Sequence, residues 1–415
     1  MAKPAEHGRD RTMMTVIGCR ALVLSAFAVP VVGVVAPKGI VVVLLIAGAA
    51  GIAAWAKEGR PRLPVDRRLI LLLAALAVWA AMTAAWAFVP VDALALVAKL
   101  VAIAVAGLGV MFAAGRLEAE HRASAENALA VGMIAGLAAF AVGFVYARAT
   151  GDSLWGSYKT DPLTTLKTGA VVLGLVAWPA AAAAWRRGWR LATGIVGLAV
   201  YVAGALVSSG TALVAPLVGL AGFAVVRLWG RRGAWFLAAV SVVAALTAPQ
   251  VLSSRTFQDT MAGLVAAAPS SASHRLKIWD FVAGKIDEKP LLGWGMDGSR
   301  WIPKDHRRLG PETEILPLHP HNAFLQVRVE LGVPGAVIFA LLLGAFFAGV
   351  VGAVGDRFAG AVMAGTASAY LTVASVSYGI WQNWWVAFGW VLAVLTATVL
   401  RPPSIDAGSR PQTGG

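Results

Sequence analysis

The segment best equipped for chemistry is His319-Pro320-His321-Asn322, which leads into Ala323-Phe324-Leu325-Gln326 and then Gly332-Val333-Pro334-Gly335. An imidazole titrates near neutral pH and can accept the proton of an attacking hydroxyl. A proline between the two histidines favours extended backbone, which puts both rings on similar sides of the chain. An imidazole beside a helix start can instead cap it or bond the backbone, and both readings stand at this point. Zinc is a further rival, but two histidines with no cysteine and no evident third ligand fall short of a four-coordinate set. Arg275 is the second candidate. It lies among His274, Lys277, Lys285 and Lys289, followed by Arg300, Lys304, Arg307 and Arg308. Such a density of cations calls for an anion, either lipid headgroups or a diphosphate gripped by Arg in bidentate fashion. Arg148, Lys159, Lys167 and Arg255 are placed to join the same anion, and Lys99 lies inside an apolar run, where it either snorkels or is a functional intramembrane charge. Trp155, Tyr158, Trp279, Trp294 and Trp301 stand near these cations, suited to stacking on sugars or to anchoring at a membrane interface.

The elements that must position these groups are membrane helices. The 415 residues are 59% hydrophobic and 13% charged, with mean hydropathy +0.74, well outside the balance of a soluble domain. Apolar runs at 16–35, 40–56, 69–90, 93–115, 127–147, 168–185, 190–208, 211–229, 234–252, 333–354, 358–379 and 382–400 make about twelve helices on the ~20-residue length needed to cross a bilayer. With both termini inside, the inward loops carry most of the basic residues, among them Lys57, Arg60, Arg62, Arg67, Arg68, Arg186, Arg187, Arg231 and Arg232. The short outward loops hold only Lys38, Arg148, Lys159 and Lys167. That asymmetry sets the orientation by the positive-inside rule and accounts for most of the net charge of +14, so nucleic acid is not a partner. The expected layout is 1–252, helices one to nine; 253–332, a large outward loop with the chemistry; 333–400, helices ten to twelve; and 401–415, a disordered inward tail. Loops as long as 148–167 and 253–332 are usually functional, which puts the work on the outer side.

Within the long loop, Phe257, Met261, Leu264, Val265 and Ala268, and then Leu276, Trp279, Val282 and Ile286, recur at helical spacing. Two amphipathic helices on or near the membrane surface are expected there, the second capped by Ser273. Asn322 or His321 begins a third, Gly332 stops it, and Pro334 opens the next span. The first helix follows a basic tail without a cleavage pattern and reads as retained. Cys19, the single cysteine, is excluded from an intramolecular disulfide and reads as a small buried residue. There is no Asp-x-Asp pair in the outward loops to hold a divalent metal and no phosphate-cradling nucleotide motif, so no cofactor is expected.

Ser273-His274-Arg275 with Ile278-Trp279, then Pro290-Leu291-Leu292-Gly293-Trp294-Gly295, then His319-Pro320-His321-Asn322 through Gly332-Val333-Pro334-Gly335, resembles the O-antigen ligase and polymerase superfamily. The motif match covers roughly residues 270–336. The resemblance implies an all-α integral membrane protein of GT-C-like type in the bacterial inner membrane, with a periplasmic active site and no metal requirement. It implies transfer of O-antigen from undecaprenyl diphosphate, the donor, to lipid A-core oligosaccharide, the acceptor, by an inverting displacement. In that scheme Arg275 neutralises the leaving diphosphate and His321 is the general base. His319, Asn322, Arg148, Lys159, Lys167, Arg255 and Arg300 bind substrate. A polymerase that lengthens the glycan on its carrier is the nearest alternative, and a transporter of lipid-linked glycan a more distant one. Members of the family often have an arginine in a Ser-Arg-Gly turn where this chain has Ser208-Ser209-Gly210, which leaves the second diphosphate cation to Arg148, Lys159 or Arg255.

Overall fold

The computed structural model describes residues 4–156, 161–265, 270–304, 308–310, 313–316 and 318–400. The described helices are α1 (Pro4–Val35), α2 (Ile40–Lys57), α3 (Arg67–Thr83), α4 (Pro90–Gly115), α5 (Ala119–Thr150), α6 (Thr164–Arg186), α7 (Arg190–Leu206), α8 (Gly210–Trp229), α9 (Arg231–Ser253), α10 (Arg255–Val265), α11 (Ser270–Glu288), α12 (Ala323–Gly344), α13 (Arg357–Val376) and α14 (Asn383–Leu400). Eleven are long and apolar enough to cross a membrane. The twelfth apolar helix, α7, has 17 residues. A two-stranded antiparallel ribbon, β1 (Arg308–Gly310) with β2 (Thr313–Glu314), is the only strand pairing among the described residues. Lys159, Tyr158, His306, Arg307, Ala268 and the tail from 401 lie outside the described residues.

Helices in an apolar solvent gain little from burying leucine, so they associate through small residues that let backbones meet. Here α2 and α4 touch at Gly48, Gly51 and Gly109, where a Cβ on Gly51 would fall 2.0 Å from the Gly109 carbonyl oxygen. Gly132 and Gly136 of α5 lie in the same way against Phe27 and Pro30 of α1. Trp178 of α6 fills the space left by Gly219 of α8 and Gly365 of α13. The inner core follows from these contacts, with Leu22, Leu44, Leu129, Leu173, Trp385 and Phe388 fully buried.

Two boundaries differ from expectation. Helix α11 starts at Ser270, so Ser273 lies in its first turns and is not its cap. It packs Leu276, Ile278, Trp279, Phe281, Val282 and Ile286 into a small core with Trp294, Ile302, Leu316, Leu325 and Val329. That apolar surface is too broad for a helix that only floats at an interface, whereas α10 has no buried residue and lays Phe257, Met261 and Val265 against the same core. Helix α13 ends at Val376 rather than at 379. Ser377–Gln382 forms a turn whose polar groups are engaged elsewhere, and that engagement stops the helix.

Candidate active site at the loop end of the bundle

Two glycine motifs build the platform. Helix α12 begins at Asn322, whose side-chain oxygen accepts the Leu325 N–H at 3.0 Å. It breaks at Gly332, with φ 65° and ψ −158°. A break inside a membrane leaves carbonyls and amides without partners, and each must find one. The Pro290–Gly295 segment crosses the break and supplies them. Trp294 N–H donates to the Val329 carbonyl at 2.8 Å, Gly295 N–H to Glu330 at 2.9 Å, and Val333 N–H to Leu291 at 2.9 Å. Trp79 of α3 donates its indole N–H to the Leu331 carbonyl at 2.8 Å. Only glycine allows this crossing: a Cβ on Gly332 would lie 2.1 Å from the Leu291 carbonyl, and one on Gly293 would lie 2.6 Å from that of Glu330. Both motifs are therefore one structural device, which seats the histidine segment on the start of α12.

On that platform the His319 and His321 rings are 4.3 Å apart between centroids. His321 has φ 55°, a left-handed conformation that costs a non-glycine residue energy and recurs at functional sites. Its Nδ1 lies against the Ser377 carbonyl. A carbonyl only accepts, so Nδ1 carries the proton and Nε2 keeps its lone pair, which makes Nε2 the basic nitrogen. Burial, and then the Arg275 guanidinium, lower the His321 pKa, against an upward push from Ser377, so the ring stays neutral at neutral pH. His319 is different. Its Nδ1 faces the His321 backbone N–H at 3.2 Å and its Nε2 faces the Gln382 amide at 3.1 Å. The Gln382 oxygen is occupied by Trp384 N–H at 3.1 Å, so its NH2 is the group toward His319. Both ring nitrogens thus meet donors, and a neutral ring can satisfy only one of them. Burial, His321 and Arg300 hold its pKa down to about 3. The pair divides the work: His321 offers a base, and His319 braces the backbone that presents it.

Arg275 extends from α11 toward this pair. Its NH1 reaches the Ser271 carbonyl at 3.4 Å, while its Nε is buried without a partner. Burial lowers its pKa and Tyr378 opposes that effect. The Tyr378 hydroxyl bonds Thr168 and Ser377, and burial drives its pKa up to about 12. Through Thr168, the start of α6 reaches the site. Lys167, one residue earlier, is paired with Asp161 at 2.6 Å. Arg300 is paired with Asp297 at 2.8 Å and is close enough to depress His319. Burial raises the Asp297 pKa, opposed by Arg300. Arg148 and Arg255 are exposed, and among the described residues neither is bonded to the imidazole pair or to its supports. Ser209 caps α8, accepting Ala212 N–H at 3.3 Å. Among the stacking candidates, Trp279 donates to the Pro320 carbonyl at 3.1 Å and Trp294 to the Lys285 carbonyl at 2.8 Å, both buried, whereas Trp301 is exposed. Among the described residues no group of three or more His, Cys, Asp or Glu is arranged to hold a metal ion.

Sequence reasoning gave no role to the Ser377–Gln382 turn or to two residues of α12, Gln326 and Glu330. The turn reads as the apolar, aromatic end of a span. Glu330 was legible in one respect, as the single carboxylate of the stretch Ala323–Gly344.

Residues 194–340 match the family model described as O-antigen ligase, a region that contains α8–α11, both glycine motifs and the histidine segment. Among curated proteins, the chain is 37% identical over 154 residues to a Rickettsia conorii protein named "putative polysaccharide ligase", covering 36% of this chain and 37% of that one. Proteins of the same description from Rickettsia felis and Rickettsia typhi are 38% identical over 141 residues and 36% identical over 143. These matches span little more than a third of the relatives' length, 34% and 35% in the latter two.

Proposed function

We propose, from the match of residues 194–340 to the O-antigen ligase family model, that this chain is an O-antigen ligase. In this reading it moves glycan from undecaprenyl diphosphate to lipid A-core oligosaccharide at the periplasmic face of the bacterial inner membrane. The observation that carries the chemistry is the Ser377 carbonyl on His321 Nδ1, which leaves a neutral, basic Nε2 within electrostatic reach of Arg275.

The acceptor hydroxyl attacks the sugar C1 while Nε2 of His321 takes its proton. The C1–O bond to the diphosphate breaks, its electron pair leaves with the phosphate oxygen, and Arg275 neutralises the charge that develops. Attack opposite the leaving group inverts the anomeric centre. Arg275 suits this role because its buried Nε has no protein partner and its fork matches phosphate geometry. Arg300 and Lys167 carry carboxylate partners in this structure and engage substrate by exchanging them. Arg148, Lys159 and Arg255 remain candidates for a second cation, and Asn322 retains its NH2 for the acceptor sugar. The reaction needs no metal in this scheme, because the arginines supply the positive charge.

The test is transfer by purified protein in nanodiscs with EDTA present, comparing wild type with His321→Ala. Ligated lipid A-core made by wild type and lost in the folded variant supports the reading. Longer glycan on the carrier, with none on lipid A-core, identifies a polymerase. No product of either kind with wild type returns the transporter to consideration.

A further inference from the structure

A carboxylate that the chemistry above does not use occupies the centre of this region. Glu330 is fully buried and four donors converge on it. Oε1 accepts from Ser299 Oγ at 2.5 Å and from Gln326 Nε2 at 3.1 Å. Oε2 accepts from Asp297 N–H at 2.9 Å and from Trp381 Nε1 at 2.9 Å. The Gln326 amide has only one possible orientation, because its oxygen accepts the Ile380 backbone N–H at 3.0 Å. Glu330 therefore holds three chain segments together: its own half-helix, the Asp297–Ser299 turn, and the Ser377–Gln382 turn. It grips the last one twice, directly at Trp381 and through Gln326 at Ile380.

That same turn makes both contacts that define the imidazoles, Ser377 to His321 and Gln382 to His319. Gly379 lies so close that a Cβ there would be 3.0 Å from the His319 ring. We infer that Glu330 is a positioning residue: its carboxylate locks the Ser377–Gln382 turn onto the start of α12 and thereby sets the tautomer and aim of His321. The inference rests on the reading of His321 as a base. A carboxylate is the group that fits, since both oxygens can accept twice. Replacing Glu330 with Gln turns an NH2 toward donors on one side, so the isostere removes the lock with almost no change of volume.

The experiment pairs Glu330→Gln with Trp381→Phe, which removes one donor to Oε2 and keeps an aromatic ring. Each is measured in nanodiscs by transfer kinetics against pH and by NMR titration of 13C-labelled histidine side chains. In Glu330→Gln, kcat falls by about a hundredfold, the loss expected of misaimed reacting groups, while KM for acceptor changes little. The charged or titratable groups around His321 are His319, Arg275 and Tyr378, and both variants leave them in place. Weakening the Ser377 contact makes imidazolium less favourable, so the His321 titration and the acid limb of kcat/KM move to lower pH. Trp381→Phe moves both in the same direction by less. An unchanged His321 titration with unchanged turnover in either folded variant overturns the inference, and where Glu330→Gln does not fold, Trp381→Phe alone decides it. A shifted titration in a protein whose wild type transfers no glycan upholds the positioning role and overturns the proposed reaction instead.

Discussion

The α2–α4 seam and the α12 crossing both bring backbones into contact through glycine, yet they are held by different forces. At the seam, Gly48, Gly51 and Gly109 sit within regular helices whose amides are satisfied internally, and the gain is close packing alone. At the crossing, Gly293 and Gly332 have positive φ, and the approach exists to pair carbonyls and amides freed by a broken helix. A seam tolerates small slides, because dispersion varies gradually with distance. A crossing does not, because each hydrogen bond depends on angle, and the groups left unpaired have no water to turn to. The candidate site is built on the second kind of contact. Its residues are thus aimed by directional bonds, while the bundle supplies a frame.

Substitutions separate the two. Gly332→Ala is expected to have the largest effect: a left-handed alanine costs on the order of 1–3 kcal/mol, and the clash with Leu291 adds to it. Little folded protein should be recovered after detergent extraction. A full yield of active Gly332→Ala would refute the crossing as a structural necessity. Arg275→Ala should leave the yield intact and lower transfer by about 10²–10³-fold, the range for losing a preorganised charge in a transition state. Normal turnover in that variant would remove the diphosphate role.

Gly51→Val, at the seam, should cost roughly 1–3 kcal/mol as an overpacking change and lower the melting temperature, with kcat unchanged in whatever protein remains folded. A kcat effect there would mean that frame and site are coupled. pH offers a milder probe. His319 binds a proton far less readily in the folded protein than its ordinary value of 6.5, down to about 3. Its contribution to stability is complete above about 6.5 and is lost as pH falls toward about 3. A His319→Gln variant should show a flatter acid limb of the melting curve, and an identical slope would contradict the assignment. Smallest of all, Ser209→Ala should remove a helix cap worth about 1 kcal/mol and leave transfer untouched, as measured by melting and turnover together.

The helices were readable because burial in lipid demands long apolar runs, and the broken start of α12 was readable because Gly332 and Pro334 advertise it. The cap at Asn322 followed from its residue type and place. Two errors have a common cause. Ser273 was assigned from residue type and residues 377–379 from the length of an apolar run, whereas the end of α13 is followed by a turn whose partners lie far away in the chain. Propensity is a weak local term, and a turn that donates or accepts several long-range hydrogen bonds overrides it.

The sequence by itself determined that this chain is a polytopic membrane protein with His319 and His321 immediately before the start of α12, since composition, run length and residue type are properties of the chain alone. Only the tertiary structure decided which imidazole nitrogen is basic, which cation stands beside it, and that Glu330 joins the segments that hold them. Those outcomes depend on which groups meet at about 3 Å, a distance at which a carbonyl or a carboxylate selects its partner's proton, and residues as far apart as Ser299, Glu330 and Trp381 reach it only when the chain is folded.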